Sequence, residues 1–151
     1  MRLVIQRVSE ASVRSDGETL GSIGRGAVVL VGLAREDTSA VVDRMATKLI
    51  GLRYFDDPTG RTNLSLGEVQ GALLVVSQFT LLADVRHGRR PGFTDAAAPD
   101  VAEPLVERFV THLRDAGVEV ATGRFGAGME VDLVNDGPFT LLIDSERDLG
   151  G

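Results

Sequence analysis

The chain has 151 residues, 43% of them hydrophobic and 25% charged, with a net charge of −6 and no cysteine. That length fits one domain, expected to span residues 1–151, with a core that needs no disulfide staples. The missing cysteines exclude disulfides, thiolate nucleophiles and Cys-ligated zinc, and the acidic balance argues against a non-specific nucleic-acid coat. No apolar run approaches the ~20 residues that cross a bilayer. The opening Met1-Arg2-Leu3-Val4-Ile5-Gln6-Arg7 is charged within its apolar run and lacks a signal-peptide core. A cytoplasmic, non-membrane protein is the expectation.

Arg2 to Val8 reads as a strand, and Ala11-Ser12-Val13 starts a second. Asp16-Gly17 is a hairpin signal, because both residues tolerate the positive φ of a tight turn. Thr19 to Ile23 returns from it, and Ala27 to Leu33 is a buried strand. Thr38 or Ser39 caps a helix whose apolar positions are Val41, Val42, Met45, Leu49 and Ile50. Leu52 to Phe55 is a short strand, and Asp56-Asp57-Pro58-Thr59-Gly60 a turn. The adjacent acids are read as turn residues rather than metal ligands, since no third ligand is in register.

Leu73-Leu74-Val75-Val76 has no alternation, which suits a strand buried on both faces. Ser77, Gln78 and Thr80 place hydroxyl and amide groups where that strand emerges, a position from which scaffolds present chemistry. Ala83 to Pro99 is a long loop of little periodicity containing Arg86, His87, Arg89 and Arg90, the densest basic cluster in the chain. A solvated loop is the simpler reading of that cluster; a contact to RNA phosphates is the alternative.

Asp100 and Glu103 have the spacing of a capping box ahead of a helix carrying Val101, Leu105, Phe109 and Leu113 on one stripe, closed by Gly117. Val118 to Ala121 is a strand, Thr122 to Gly128 a Gly-rich turn, and Met129 to Val134 another strand. Asn135 to Pro138 interrupts it, Phe139 to Ile143 resumes, and the polar tail from Asp144 to Gly151 is expected to fray. The class is mixed α/β, with largely antiparallel or mixed sheets and two main helices.

Common hydrolytic machinery is missing. His87 and His112 lie outside any nucleophile motif, and no His pair has zinc spacing. The phosphate loop and the dinucleotide fingerprint are absent too. No metal or cofactor is expected. If the chain is a hydrolase, backbone donors of the oxyanion-hole kind could dominate its catalysis.

Two separated motifs carry a family resemblance. Ser77-Gln78-Phe79-Thr80-Leu81 and Asn135-Asp136-Gly137-Pro138-Phe139-Thr140, with Ile5-Gln6-Arg7-Val8, Arg90-Pro91-Gly92-Phe93 and Thr122-Gly123-Arg124-Phe125, resemble D-aminoacyl-tRNA deacylases over nearly the whole chain. The resemblance implies sheets curled into a barrel-like core, and a homodimer with its active sites at the interface. It implies cleavage of the ester between a D-amino acid and the 3′-terminal adenosine of tRNA, with glycyl-tRNA also accepted. Gly137-Pro138, with a cis bond, would enter the partner's pocket and exclude L side chains, and Arg7 would fix that motif.

Ser77, Gln78, Phe79 and Thr80 match the catalytic-side motif. Main-chain N–H groups there would bind the oxyanion, and the RNA's 2′-hydroxyl would activate water. An older proposal makes Thr80 the nucleophile, but no base for it is visible. Phe125 and Met129 match positions near the adenosine, and Thr140 belongs to the substrate-side motif. Position 139 is Phe where the family usually has Val. Phe139 either narrows the pocket or, as alternation from Thr140 suggests, packs into the core. The competing reading is a non-catalytic tRNA-binding module; a general D-amino ester hydrolase needing no tRNA is a third.

Overall fold

The computed structural model describes residues 1–150. Its strands are β1 (Arg2–Ser15), β2 (Glu18–Ile23), β3 (Gly26–Gly32), β4 (Arg53–Asp56), β5 (Thr62–Ser65), β6 (Ala72–Ser77), β7 (Glu119–Thr122) and β8 (Glu130–Asp144). Its α-helices are α1 (Ser39–Gly51), α2 (Pro99–Asp115) and the single turn α3 (Ser145–Asp148). A 3-10 turn, Phe79–Leu82, follows β6.

Six strands form one mixed sheet in the order β2-β1-β3-β6-β7, with β8 along the other edge of β1. β1 is antiparallel to β2, β3 and β8, while β3–β6 and β6–β7 are parallel. The sheet curls until its ends approach. A Cβ on Gly21 of β2 would sit 2.9 Å from the Thr122 carbonyl oxygen of β7, so only glycine permits this closure. The result is the barrel-like core expected from the resemblance.

The curled sheet separates two apolar clusters. Leu3, Ile5, Val29, Leu73 and Val75 face α1 and α2, meeting Met45, Leu49, Phe109 and Leu113. Val8, Val13, Val28, Leu74 and Val76 fill the inside of the curl. β6 is buried on both faces, as its unbroken aliphatic run predicts.

β1 is a single strand of 14 residues, not the two expected. Arg7 and Val8 are both buried and Ser9 and Glu10 both exposed, so the inside–outside alternation changes phase there. The ladder with β8 shifts register at the same point, the mark of β-bulges that re-aim a strand without ending it. β8 is likewise continuous where a break is expected, yet its pairing is interrupted. Asn135 lies opposite Val8 and Thr140 opposite Gln6, leaving Asp136 to Phe139 outside the ladder.

Asp16 and Gly17 take the expected positive φ between β1 and β2. Thr38 caps α1, accepting from the Val41 N–H. Gly117 closes α2, donating to the Arg114 carbonyl while Val118 donates to that of Leu113.

The capping box at Asp100 and Glu103 does not form. α2 begins at Pro99 with Ala98 as its cap, because proline suits the first helical position and has no N–H to satisfy. β5 is not expected from its sequence, since Thr62-Asn63-Leu64-Ser65 has a single large apolar residue. Its hairpin with β4 is closed by Asp57, whose Oδ1 accepts from the Thr59 N–H, the Thr59 hydroxyl and the Arg61 N–H. These bonds hold the Asp57 carboxyl below its usual range.

The tail does not fray through residue 149. Asp144 caps α3 and pairs with Arg2 at 2.9 Å, and the Met1 amino group donates to Ser145 Oγ at 2.8 Å. Gly151 lies outside the described residues.

The Tyr54 hydroxyl is buried in the helix-side core without a hydrogen-bond partner among the described residues, and burial pushes its pKa up. Removing an unpaired buried hydroxyl while keeping the ring relieves a desolvation cost. Tyr54→Phe is expected to raise stability by about 1 kcal/mol. The check is an upward shift of the urea midpoint at constant m; a lower midpoint overturns the expectation.

Candidate active site

The chain leaves β6 at Ser77 and turns at Gln78, whose N–H donates to the Val31 carbonyl at 2.7 Å. The 3-10 turn then begins. The Leu81 and Ala83 N–H groups bond back to Gln78 and Thr80. Those of Phe79 and Thr80 make no hydrogen bond among the described residues. The first N–H groups of any helical turn lack an internal partner. Here two consecutive donors are left free. The Gln78 side-chain amide donates to the Thr80 hydroxyl, and among the described residues no histidine or carboxylate bonds to that hydroxyl.

These residues border a cleft of about 580 Å³. Ser77, Gln78 and Phe79 form one side, Phe125 and Met129 the other, and Phe93 with the Ala96–Pro99 segment and Val106 closes it. Phe79, 57% exposed, meets the Phe93 ring edge-on at 5.0 Å between centroids. Met129 is fixed by its contacts inside the curl and by the Arg124 N–H, which donates to its sulfur at 3.4 Å. The wall is apolar, and the polar groups collect at the β6 end. The long loop from Ala83 builds much of this cleft rather than hanging free. It is tied down by bridges between Asp84 and Gly92 and between Ala34 and Ala96.

The second motif is held elsewhere. The Gly137-Pro138 peptide bond is cis. The Arg7 side chain, with Arg7 only 4% exposed, spans the bulge that carries it. Its Nη1 donates to the Tyr54 carbonyl at 2.8 Å and to Asp56 Oδ1 at 3.4 Å. Its Nε donates to the Asp136 carbonyl at 3.1 Å and pairs with the Asp136 carboxylate, and its Nη2 reaches the Gly137 carbonyl at 3.4 Å. The guanidinium carbon stands 4.5 Å over the Phe139 ring.

Asn135 braces the bulge from within, donating to the Arg7 carbonyl at 2.8 Å and the Phe139 carbonyl at 3.1 Å. Phe139 is half-buried against the helix-side core, the packing that alternation from Thr140 suggests.

Ser77, Gln78, Phe79, Phe125 and Met129 therefore come together. Thr80 is adjacent and exposed. Gly137, Pro138 and Thr140 do not line the cleft of their own chain; they are exposed on β8, where Thr140 accepts from the Gln6 amide at 3.1 Å. The resemblance assigns no site role to Phe93, Asn135, Tyr54 or Asp56. Phe93 and Asn135 belong to the motifs that carry it. The Tyr54 carbonyl offers no sequence signal, because any residue there carries one.

Sequence and overall fold place the chain in a known class of hydrolase. A sequence profile described as D-Tyr-tRNA(Tyr) deacylase matches residues 4–144. A D-aminoacyl-tRNA deacylase of Symbiobacterium thermophilum is 58% identical over 147 residues, 97% of each chain. One of Thermotoga petrophila is 52% identical over 147 residues, 97% of this chain and 99% of that one.

Among solved structures, one described as a c-Myc DNA unwinding element binding protein aligns with a TM-score of 0.89 at 38% identity, covering 95% of this chain and 98% of that one. A probable eukaryotic D-amino acid tRNA deacylase has the same fold, with a TM-score of 0.82 at 22% identity over 94% of this chain and 97% of that one. The chain belongs to the D-Tyr-tRNA(Tyr) deacylase family, and it is an enzyme of the hydrolase class.

Lysine at position 7 keeps the charge but loses the planar fork that serves three carbonyls at once. Arg7→Lys is expected to cost about 1–3 kcal/mol, the cost of weakening the bond to the buried Tyr54 carbonyl, while the exposed Asp136 and Gly137 carbonyls can turn to water. Urea unfolding at constant m measures it; a midpoint equal to that of the parent would show that the fork does not hold the bulge.

Proposed function

We propose that the chain hydrolyses the ester between a D-amino acid and the 3′-terminal adenosine of tRNA, releasing the free amino acid and tRNA, and that glycyl-tRNA is also a substrate. The observation that carries this reading is the pair of unengaged N–H groups, Phe79 and Thr80, beside an apolar cleft. An ester carbonyl aimed at them gains two donors where the tetrahedral intermediate's charge develops. Phe125 and Met129 offer the terminal adenine a flat ring and a polarisable sulfur.

Thr80 has no base, which argues against a covalent acyl-enzyme. A water attacks the carbonyl carbon instead, oriented by the terminal ribose's own 2′-hydroxyl. The intermediate collapses by breaking the bond to the ribose 3′-oxygen, which leaves carrying the proton that the attacking water gives up through the 2′-hydroxyl. The names of the relatives support the same substrate, and a cytoplasmic location goes with it.

Chiral selection on this reading needs a second copy of the chain. The Gly137-Pro138 bulge is exposed and braced, on an edge strand whose outer edge is unpaired. Val134 and Leu142 on that strand are each 52% exposed, an apolar edge that natural proteins cover. A partner docked along β8 receives this bulge in its own cleft. There rigid main-chain atoms meet an L side chain and leave a D side chain free, and glycine has none to exclude. The protein is then expected to sediment at the mass of two chains; an active single chain overturns a filter built across subunits.

The deciding experiment compares three substrates: D-tyrosyl-tRNA, L-tyrosyl-tRNA, and D-tyrosyl-tRNA ending in 2′-deoxyadenosine. The first is expected to be deacylated, the second left intact, and the third bound without turnover. Loss of the L ester at the same rate removes the chiral filter. Full turnover of the deoxy substrate removes the RNA's part in catalysis. Binding of all three with no turnover establishes the tRNA-binding module in place of an esterase.

A further inference from the structure

The basic cluster after the 3-10 turn sits on a finger. Asp84 and Gly92 exchange two backbone hydrogen bonds of 2.8 Å, closing a loop whose residues 85 to 91 are all exposed. Arg86 is engaged within it: its Nε and Nη2 donate to the Asp84 carboxylate at 2.9 and 2.8 Å, and its backbone N–H donates to Asp84 Oδ1 at 3.0 Å. Those bonds, the side-chain ones first, hold the Asp84 carboxyl down at about 2. Asp84 is therefore ionised and occupied at neutral pH, and Arg86 is neutralised.

Arg89 and Arg90 are in a different position. Neither makes a hydrogen bond or an ion pair among the described residues. Arg2, Arg7, Arg14, Arg108, Arg124 and Arg147 meet carboxylates; Arg25, Arg53 and Arg61 have no ion pair among the described residues either, but they stand singly, whereas Arg89 and Arg90 are adjacent. Two adjacent guanidiniums left free while acids outnumber bases 22 to 16 form a local positive site against the sign of the whole molecule.

The finger's place supplies the second argument. Phe93, one residue past its base, packs on Phe79 and lines the cleft with it. The finger thus rises from the rim of the cleft.

We infer that Arg89 and Arg90 bind backbone phosphates of the RNA strand as it leaves the cleft, and that Arg86 does not. This rests on the proposed substrate, because an adenosine seated in the cleft is the end of a polyanion that must cross the rim. Guanidinium forks fit phosphate oxygens, and contacts of this kind set position without reading sequence. The effect of losing them is therefore the same for every tRNA species.

The test is the double variant Arg89→Gln/Arg90→Gln, both changes on an exposed loop tip, assayed on D-tyrosyl-tRNA and on D-tyrosyl-adenosine, which carries no phosphate. On the tRNA, kcat/KM is expected to fall roughly tenfold through KM, and the slope of log(kcat/KM) against log salt to flatten by about 1.4, two contacts at ~0.7 each for single-stranded RNA. The nucleoside ester is expected to show neither change. Equal losses on both substrates, or an unchanged salt slope, overturn the inference.

A binding measurement separates this from the activity itself. Fluorescence anisotropy with an uncharged CCA-ended minihelix needs no turnover. A parent protein that cleaves neither ester, but binds the minihelix with a salt dependence the variant loses, rejects the esterase and keeps the finger. Equal binding by parent and variant rejects the finger.

Discussion

The arrangement depends on one buried cation. A guanidinium removed from water costs several kcal/mol unless its donors are used, and Arg7 uses them on the carbonyls of Tyr54, Asp136 and Gly137 and on two carboxylates. That requirement ties three distant segments together. β4 supplies Tyr54, β1 supplies Arg7, and β8 must leave its ladder so that Asp136 and Gly137 can present their carbonyls. The phase change of β1 at Arg7 and Val8 is the same event seen from the other strand. The Gly-Pro segment is consequently rigid without belonging to a regular ladder, and it is displayed outward.

The other half of the site follows from a different constraint. β6 lies between β3 and β7 in a parallel array and is buried on both faces, so its backbone cannot move without disturbing both apolar clusters. Where the aliphatic run ends at Ser77, the chain turns within two residues into a 3-10 turn, and the first donors of that turn have no partner. A stiff strand thereby fixes two free N–H groups at the edge of an apolar cleft. Preorganised donors of this kind suit charge stabilisation because nothing has to reorient during reaction.

Much of the fold is legible in sequence because local physics writes it there. The Asp16-Gly17 turn, the Thr38 cap, the Gly117 closure and the doubly buried β6 all stand where composition and spacing put them. The departures from the sequence pattern have separate causes. β1 and β8 read as broken because a bulge inverts alternation just as a chain break does, and only the partner strand shows that pairing continues. β5 is held by its hairpin with β4 and by Asp57, contacts that four mainly polar residues do not announce. Pro99 outcompeted the Asp100–Glu103 box because a proline at the first helical position sets the start one residue earlier.

By itself, the sequence determined the class of fold, the two motifs and the family, since these rest on residue types at fixed spacing. Only the tertiary structure decided that five motif residues share one cleft while Gly137 and Pro138 face away from it, because that depends on how far the sheet curls. It also put the Phe139 ring under Arg7, paired Arg86 with Asp84, and left Arg89 and Arg90 unpaired. Which charge meets which is a matter of three-dimensional distance, and residues 77 and 125 have no local interaction through which a sequence could record that they are neighbours.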